Sequence, residues 1–254
     1  LPICSSITTV NTGATLDINN WAWGGSFGER YFDATALVIN GGTLRYSGAS
    51  NSSASRGFTV GSSGATLESA TAGVTWTLWD SATASYKVVA NGNLTFTGVG
   101  NFDFGQVISG ARTVTKNGSG TLTMSGVNTY TGATTINGAS VTTTGAQSYS
   151  GAMTLGADTT LDAGAGNITL SGTVNDAVIG IHNLTLNSTG ITTLQAAVGN
   201  TAALNSVTTN AGGTLVMNGG SVTTTGAQSY GEAITLGADT TLTAGAGNIT
   251  LGST

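Results

Sequence analysis

One long stretch occurs twice in this 254-residue chain. Residues 140–171 read SVTTTGAQSYSGAMTLGADTTLDAGAGNITLS, and residues 221–252 read SVTTTGAQSYGEAITLGADTTLTAGAGNITLG, 81 positions further on. Of the 32 positions, 27 are identical. Met153 becomes Ile234, one apolar residue for another. The other changes are Ser150 to Gly231, Gly151 to Glu232, Asp162 to Thr243 and Ser171 to Gly252. An inward slot that stays apolar, beside polar slots that drift, is what a unit with one buried face requires.

The material between and around the copies suits strands. Only 7% of residues are charged, against about 25% in an ordinary globular domain. There are 40 Gly, 47 Thr and one Pro. Thr and Val favour a pleated, half-buried surface, Gly and Asn supply turns, and Gly and Thr are poor helix formers. Disorder would need high charge and few β-branched residues. Alternation is plain in Ala14-Thr15-Leu16-Asp17-Ile18, Thr43-Leu44-Arg45-Tyr46 and Asn167-Ile168-Thr169-Leu170, with turns such as Asn40-Gly41-Gly42 between.

Short strands at close spacing leave two architectures, an antiparallel sandwich or barrel and a parallel β-solenoid. Near-identical segments a fixed distance apart select the second. With about 20 residues per rung, the offset between the copies comes to about four rungs and the chain to about a dozen. The expected fold is an all-β, right-handed parallel β-helix. Residues 1–112 are irregular and hold all four Trp and all six Phe. They are expected to form an aromatic-rich first part or cap. Residues 113–254 are expected to form the regular part of one continuous rod.

Charge restricts the partners. All six basic residues (Arg30, Arg45, Arg56, Lys87, Arg112, Lys116) lie in the first 116 positions. The rest of the chain has Asp158, Asp162, Asp176, Glu232 and Asp239, and no Lys or Arg. A nucleic-acid surface needs clustered cations, and so does binding to anionic membranes. Cys4 is alone, so no internal disulfide forms. No run approaches the roughly 18 apolar residues of a transmembrane helix. A start at Leu1, without Met, is expected of a piece processed from a longer precursor.

Residues 116–126, KNGSGTLTMSG, followed by NTYTGATTI at 128–136, closely resemble the β-strand repeat of autotransporter passenger domains. The doubled stretch resembles repeats of filamentous-haemagglutinin-like bacterial adhesins. Residues 180–215 are similar to the linking coils of those adhesins. The resemblance covers residues 90–254. It implies an extracellular bacterial structural or adhesive β-solenoid, secreted or at the cell surface, a stalk or fibre subunit without catalysis or cofactor. Its partners would be further coils, from a longer chain or from copies stacked end to end into filaments, and a host or matrix glycan or protein.

Candidate chemistry is sparse. His182 is the sole histidine and lacks a Gly-x-Ser-x-Gly elbow. Asp158 and Asp239 occupy the same repeat position and are expected to be turn residues bonding their own backbone. The calcium-binding Gly-Gly-x-Gly-x-Asp spacing is absent. Asn51, Asn93, Asn117, Asn167, Asn183, Asn187 and Asn248 precede x-Ser/Thr and are expected to be turn and ladder residues. Thr142-Thr143-Thr144 and Thr223-Thr224-Thr225 would suit a flat ice-binding array, but ordinary strand Thr explains them. No catalytic, cofactor-binding or metal residue is assigned. The alternatives are a polysaccharide-active parallel β-helix enzyme, which would converge three or more carboxylates, or an Asp–Lys–Arg group, on one groove, and a glycan-binding module built on Trp21, Trp23, Trp76 and Trp79. The aromatics are otherwise expected to fill the core.

Overall fold

The computed structural model describes residues 7–20, 36–54, 57–78, 88–124, 128–138, 140–143 and 145–252. The chain divides into two compact units, Leu1–Val127 and Asn128–Thr254. Each is a β-solenoid, and the described residues contain no helix.

In the second unit the chain visits three sheet faces in a fixed order. The first face stacks Thr134–Asn137, Met153–Leu155 and Val174–Asp176, continues through Val198 to Ser221–Thr224, and ends with Thr241–Ala244. The second stacks Ser140–Thr142, Thr159–Gly164, Asn183–Ser188, Ser206–Thr209, Gln228–Tyr230 and Ile249–Leu251. The third stacks Gln147–Tyr149, Ile168–Leu170, Ile191–Leu194, Thr214–Met217 and Ala233–Leu236. All these pairings are parallel, as a coil returning to the same face one turn later demands. That excludes the antiparallel sandwich.

The first unit is built alike. One face stacks Thr15–Ile18, Thr43–Tyr46, Ala65–Ser69, Leu94–Gly98 and Val114–Asn117. The next carries Ser52–Ala54, Thr75–Leu78, Asn101–Phe104 and Leu122–Met124. The last carries Thr8–Asn11, Leu37–Asn40, Phe58–Val60 and Val88–Ala90. Coil length varies. Thr134 pairs with Met153, whereas the coil that brings Ala65 to Leu94 is half as long again. Coils longer than the uniform rung expected from the sequence bring the total to about nine turns rather than a dozen.

The doubled stretch is not in phase with the coil. Ser140–Thr142 lies on the second face but its copy Ser221–Thr224 lies on the first. Gln147–Tyr149 lies on the third, and Gln228–Tyr230 on the second. Every strand of the later copy stands one face back. With three strand positions per turn, the two copies stand eleven positions apart, or three and two-thirds turns rather than four. Each segment of the repeat therefore folds on two different faces, because both ask for inward apolar residues at period two.

Inward residues fill the core. In the first unit Tyr46 stacks on Trp76 at 5.8 Å, Trp76 meets Phe102 at 5.5 Å, and Phe96 packs edge-on against Phe102 and Phe104 at 5.4 and 5.1 Å. These aromatics are buried, and such pairs add to plain area burial. In the second unit the core is mainly aliphatic, with Leu155, Leu161, Ile168, Leu184, Leu186, Leu204 and Leu215 sealed from solvent and Tyr130, Tyr149 and Tyr230 buried among the inward residues.

Corners are tied by side chains. Asn40, Asn51, Asn93, Asn101 and Asn167 each accept, through Oδ1, a backbone N–H from the next coil, at 2.8–3.1 Å. Asn183 Oδ1 accepts from Asn205 and Ser206. The Asn-x-Ser/Thr residues Asn51, Asn93, Asn167 and Asn183 are thus ladder residues. Glycines stack where even a methyl group would collide: a Cβ on Gly151 would lie 2.2 Å from the Gly132 carbonyl oxygen.

Candidate functional site

The most elaborately built surface feature is the corner between Val174–Asp176 and Asn183–Ser188. The Asp176 side chain is fully buried. Its Oδ1 accepts from Val178 N at 3.1 Å and contacts His182 Nδ1 at 2.6 Å. Its Oδ2 accepts from the Ile181 and His182 amides at 3.0 and 2.9 Å. Burial raises the carboxyl pKa, but these donors outweigh it and hold the group below its ordinary 3.8. The Gly180 amide donates to Ala203 O at 2.8 Å, and Asn205 N donates to His182 O at 2.8 Å. The corner is therefore fixed to the coil that follows it.

This rigid corner displays apolar side chains. Val178, Ile179 and Ile181 are 54%, 65% and 56% exposed. Beside it Asp158 Oδ1 accepts from the amide and side chain of Asn183, at 2.9 and 3.0 Å. Asp158 is therefore an inter-coil clamp, not a turn residue bonding its own backbone. His182 and Asp176, joined by no sequence motif, form one pair. Their contacts are those of a structural clamp, since among the described residues no serine or cysteine bonds to either.

Asp17 and Glu68 flank Arg45, at 3.9 and 3.6 Å, but among the described residues no three carboxylates converge. Among the described residues, no group of three or more His, Cys, Asp and Glu could hold a metal ion. Asp162 Oδ1 accepts from Gly164 N, at 2.9 Å, a bond within its own turn. Glu232 is the exception to polar drift. It is buried at 1% exposure, where its counterpart Gly151 stands in a stack of backbone. The phase shift explains the difference, because the two positions occupy different corners.

The aromatic platform is not available at Trp76, which is fully buried. Trp21, Trp23 and Trp79 lie outside the described residues, as do Cys4 and Thr144. Thr143 and Thr224 point inward and are buried, which breaks any flat Thr array. A polar hollow is lined by Asn19, Asn20, Tyr46, Asn51, Ser52 and Ser53, beside Ser50, whose carbonyl accepts the Tyr46 hydroxyl at 2.6 Å.

Three buried polar side chains carry no signal in the sequence. Lys116, in register with Phe96, is buried, its ammonium donating to the Asn117 and Gly118 carbonyls at 3.0 and 2.8 Å. Burial lowers its pKa to about 8. Gln147 and Gln228 stand among polar neighbours in the chain, and both are buried.

Comparison with known proteins agrees with this architecture. Residues 114–142 match the passenger-associated-transport-repeat family model. The chain is 37% identical over 133 residues to the adhesin BmaC autotransporter of Brucella suis biovar 1 (strain 1330). That match takes in 51% of this chain and 3% of the relative's length. No solved structure matches. The chain is thus an all-β solenoid carrying an autotransporter passenger repeat, similar over half its length to an autotransporter adhesin.

Proposed function

We propose that the chain is a non-enzymatic, adhesive β-solenoid of a bacterial surface, secreted and displayed outside the cell. The observation that carries this is the corner at Asp176–His182. A buried carboxylate holds four donors in place to present Val178, Ile179 and Ile181 to solvent. Preorganised apolar contacts raise affinity by reducing the ordering lost on binding. The coils act as the stalk, since their backbone ladders run from coil to coil. The similarity to an autotransporter adhesin supports the same reading.

The reading extends to assembly. Leu236, Ile249 and Leu251 are 59%, 41% and 59% exposed, whereas Leu155, Ile168 and Leu170, their counterparts in the first copy, are 0–2% exposed. A further coil, continuing the chain or belonging to a copy stacked end to end, would cover them. Beads coated with the protein test adhesion. Binding to immobilised matrix proteins or host cells, lost in a V178S/I179S/I181S variant of unchanged melting temperature, supports the proposal; no binding above uncoated beads overturns it. Sedimentation tests stacking, with a strictly monomeric species at high concentration ruling it out.

A further inference from the structure

Glu232 lies in the corner between Gln228–Tyr230 and Ala233–Leu236. Oε1 accepts from Thr192 Oγ1 at 3.3 Å, and Oε2 is buried without a hydrogen bond from the described residues. The carboxyl sits over glycines: a methyl group on Gly213 would lie 2.9 Å from Oε1 and 2.5 Å from Gly190 O. Any larger residue at 213 would take the space that the carboxyl uses.

Among the described residues, nothing around the group balances a negative charge. The strand Ile191–Leu194 offers the Thr192 hydroxyl, and Thr214–Met217 is preceded by Gly213. From Ser206–Thr209, the Thr209 hydroxyl accepts from Gly231 N at 3.2 Å. On its own coil, the Tyr230 hydroxyl donates to Gln228 at 2.8 Å. No Lys or Arg follows Lys116, and the single His182 bonds to Asp176.

We propose that Glu232 is a pH-sensitive latch of the second unit: protonated, it seats in the glycine-lined corner and keeps the coil closed, and ionised, it loosens the coils that hold it. Burial raises its carboxyl pKa from the ordinary 4.5 to about 7, against a smaller opposite effect of Thr192. A raised acid pKa means the folded state holds the proton longer than the unfolded one. The latch is therefore fully effective below about pH 4.5 and released as pH rises through about 7. In a solenoid the loss falls on neighbouring coils.

Hydrogen exchange on the 254-residue chain tests this. Between pH 4.5 and 8, after correction for intrinsic rates, protection in residues 206–217 and 228–236 should fall on the order of 100-fold. Protection in Thr159–Gly164 should hold. Glu232→Gln should abolish the pH dependence. Equal losses in the parent protein and Glu232→Gln overturn the proposal. If that variant does not fold, the carboxyl carbon shift of Glu232 in the parent decides: a midpoint near 7 supports the latch, and one below 5 overturns it.

Discussion

Gln147 and Gln228 hold matching partners on different faces of the coil. Gln147 Nε2 donates to Val141 O at 3.1 Å within its own coil and to Asp162 O at 2.7 Å in the next. Gln228 Nε2 does the same with Val222 O at 3.1 Å and Thr243 O at 2.9 Å. Each Oε1 accepts a buried tyrosine hydroxyl, Tyr149 or Tyr230, at 2.8 Å. A buried amide with every group engaged stabilises, whereas one with a missing partner destabilises. The repeat carries its own stitch between coils, and the stitch works wherever the repeat falls.

Replacing either glutamine by Ala strands a tyrosine hydroxyl and removes a donor from each of two backbone carbonyls. Gln147→Ala and Gln228→Ala should each destabilise their coils by about 2 kcal/mol, read as a lower urea midpoint. Similar losses at both sites would confirm that the two faces are energetically equivalent. A loss at one site alone would show that the surroundings, not the repeat, set the stitch.

Period-two alternation and the doubled stretch made the parallel coil legible, since inward slots such as Met153 and Leu161 must be apolar on any face. The phase of the repeat was not legible. It depends on corner lengths, and the corner between Asp176 and Asn183 is longer than that between Leu155 and Thr159. The same insertion created the Asp176–His182 clamp. Glu232 read as an exposed substitution because Gly151, its counterpart, says nothing about the space over Gly213 in another corner.

Asp176 anchors its corner through four donors. Asp176→Ala should cost about 3 kcal/mol, as loss of hydrogen bonds to a charged, buried acceptor does. The carboxyl pKa is depressed in the folded state, so its contribution is full above 3.8 and is lost as pH falls below that value. Acid titration of the melting temperature should show this loss in the parent and not in Asp176→Ala.

Trp76 separates core from binding surface. It is fully buried between Tyr46 and Phe102. Trp76→Ala should destabilise the first unit by about 4 kcal/mol. Trp76→Phe should leave binding to any immobilised glycan unchanged, and a loss there with the fold intact would restore a glycan role for this residue.

Lys116 places a buried ammonium beside Phe96. Its folded pKa of about 8 lies below the ordinary 10.5 because burial disfavours the charge. Between those values the unfolded chain holds the proton and the folded chain has released it. Stability therefore rises with pH from about 8 to 10.5 and is lower at neutral pH. Lys116→Met keeps the unbranched shape and removes the charge, so it should raise stability at pH 7 by about 2 kcal/mol. It should also flatten the rise above pH 8. Urea unfolding at pH 7 and pH 10 measures both. If Lys116→Met is less stable than the parent at pH 7, the bonds to the Asn117 and Gly118 carbonyls outweigh the burial of the charge.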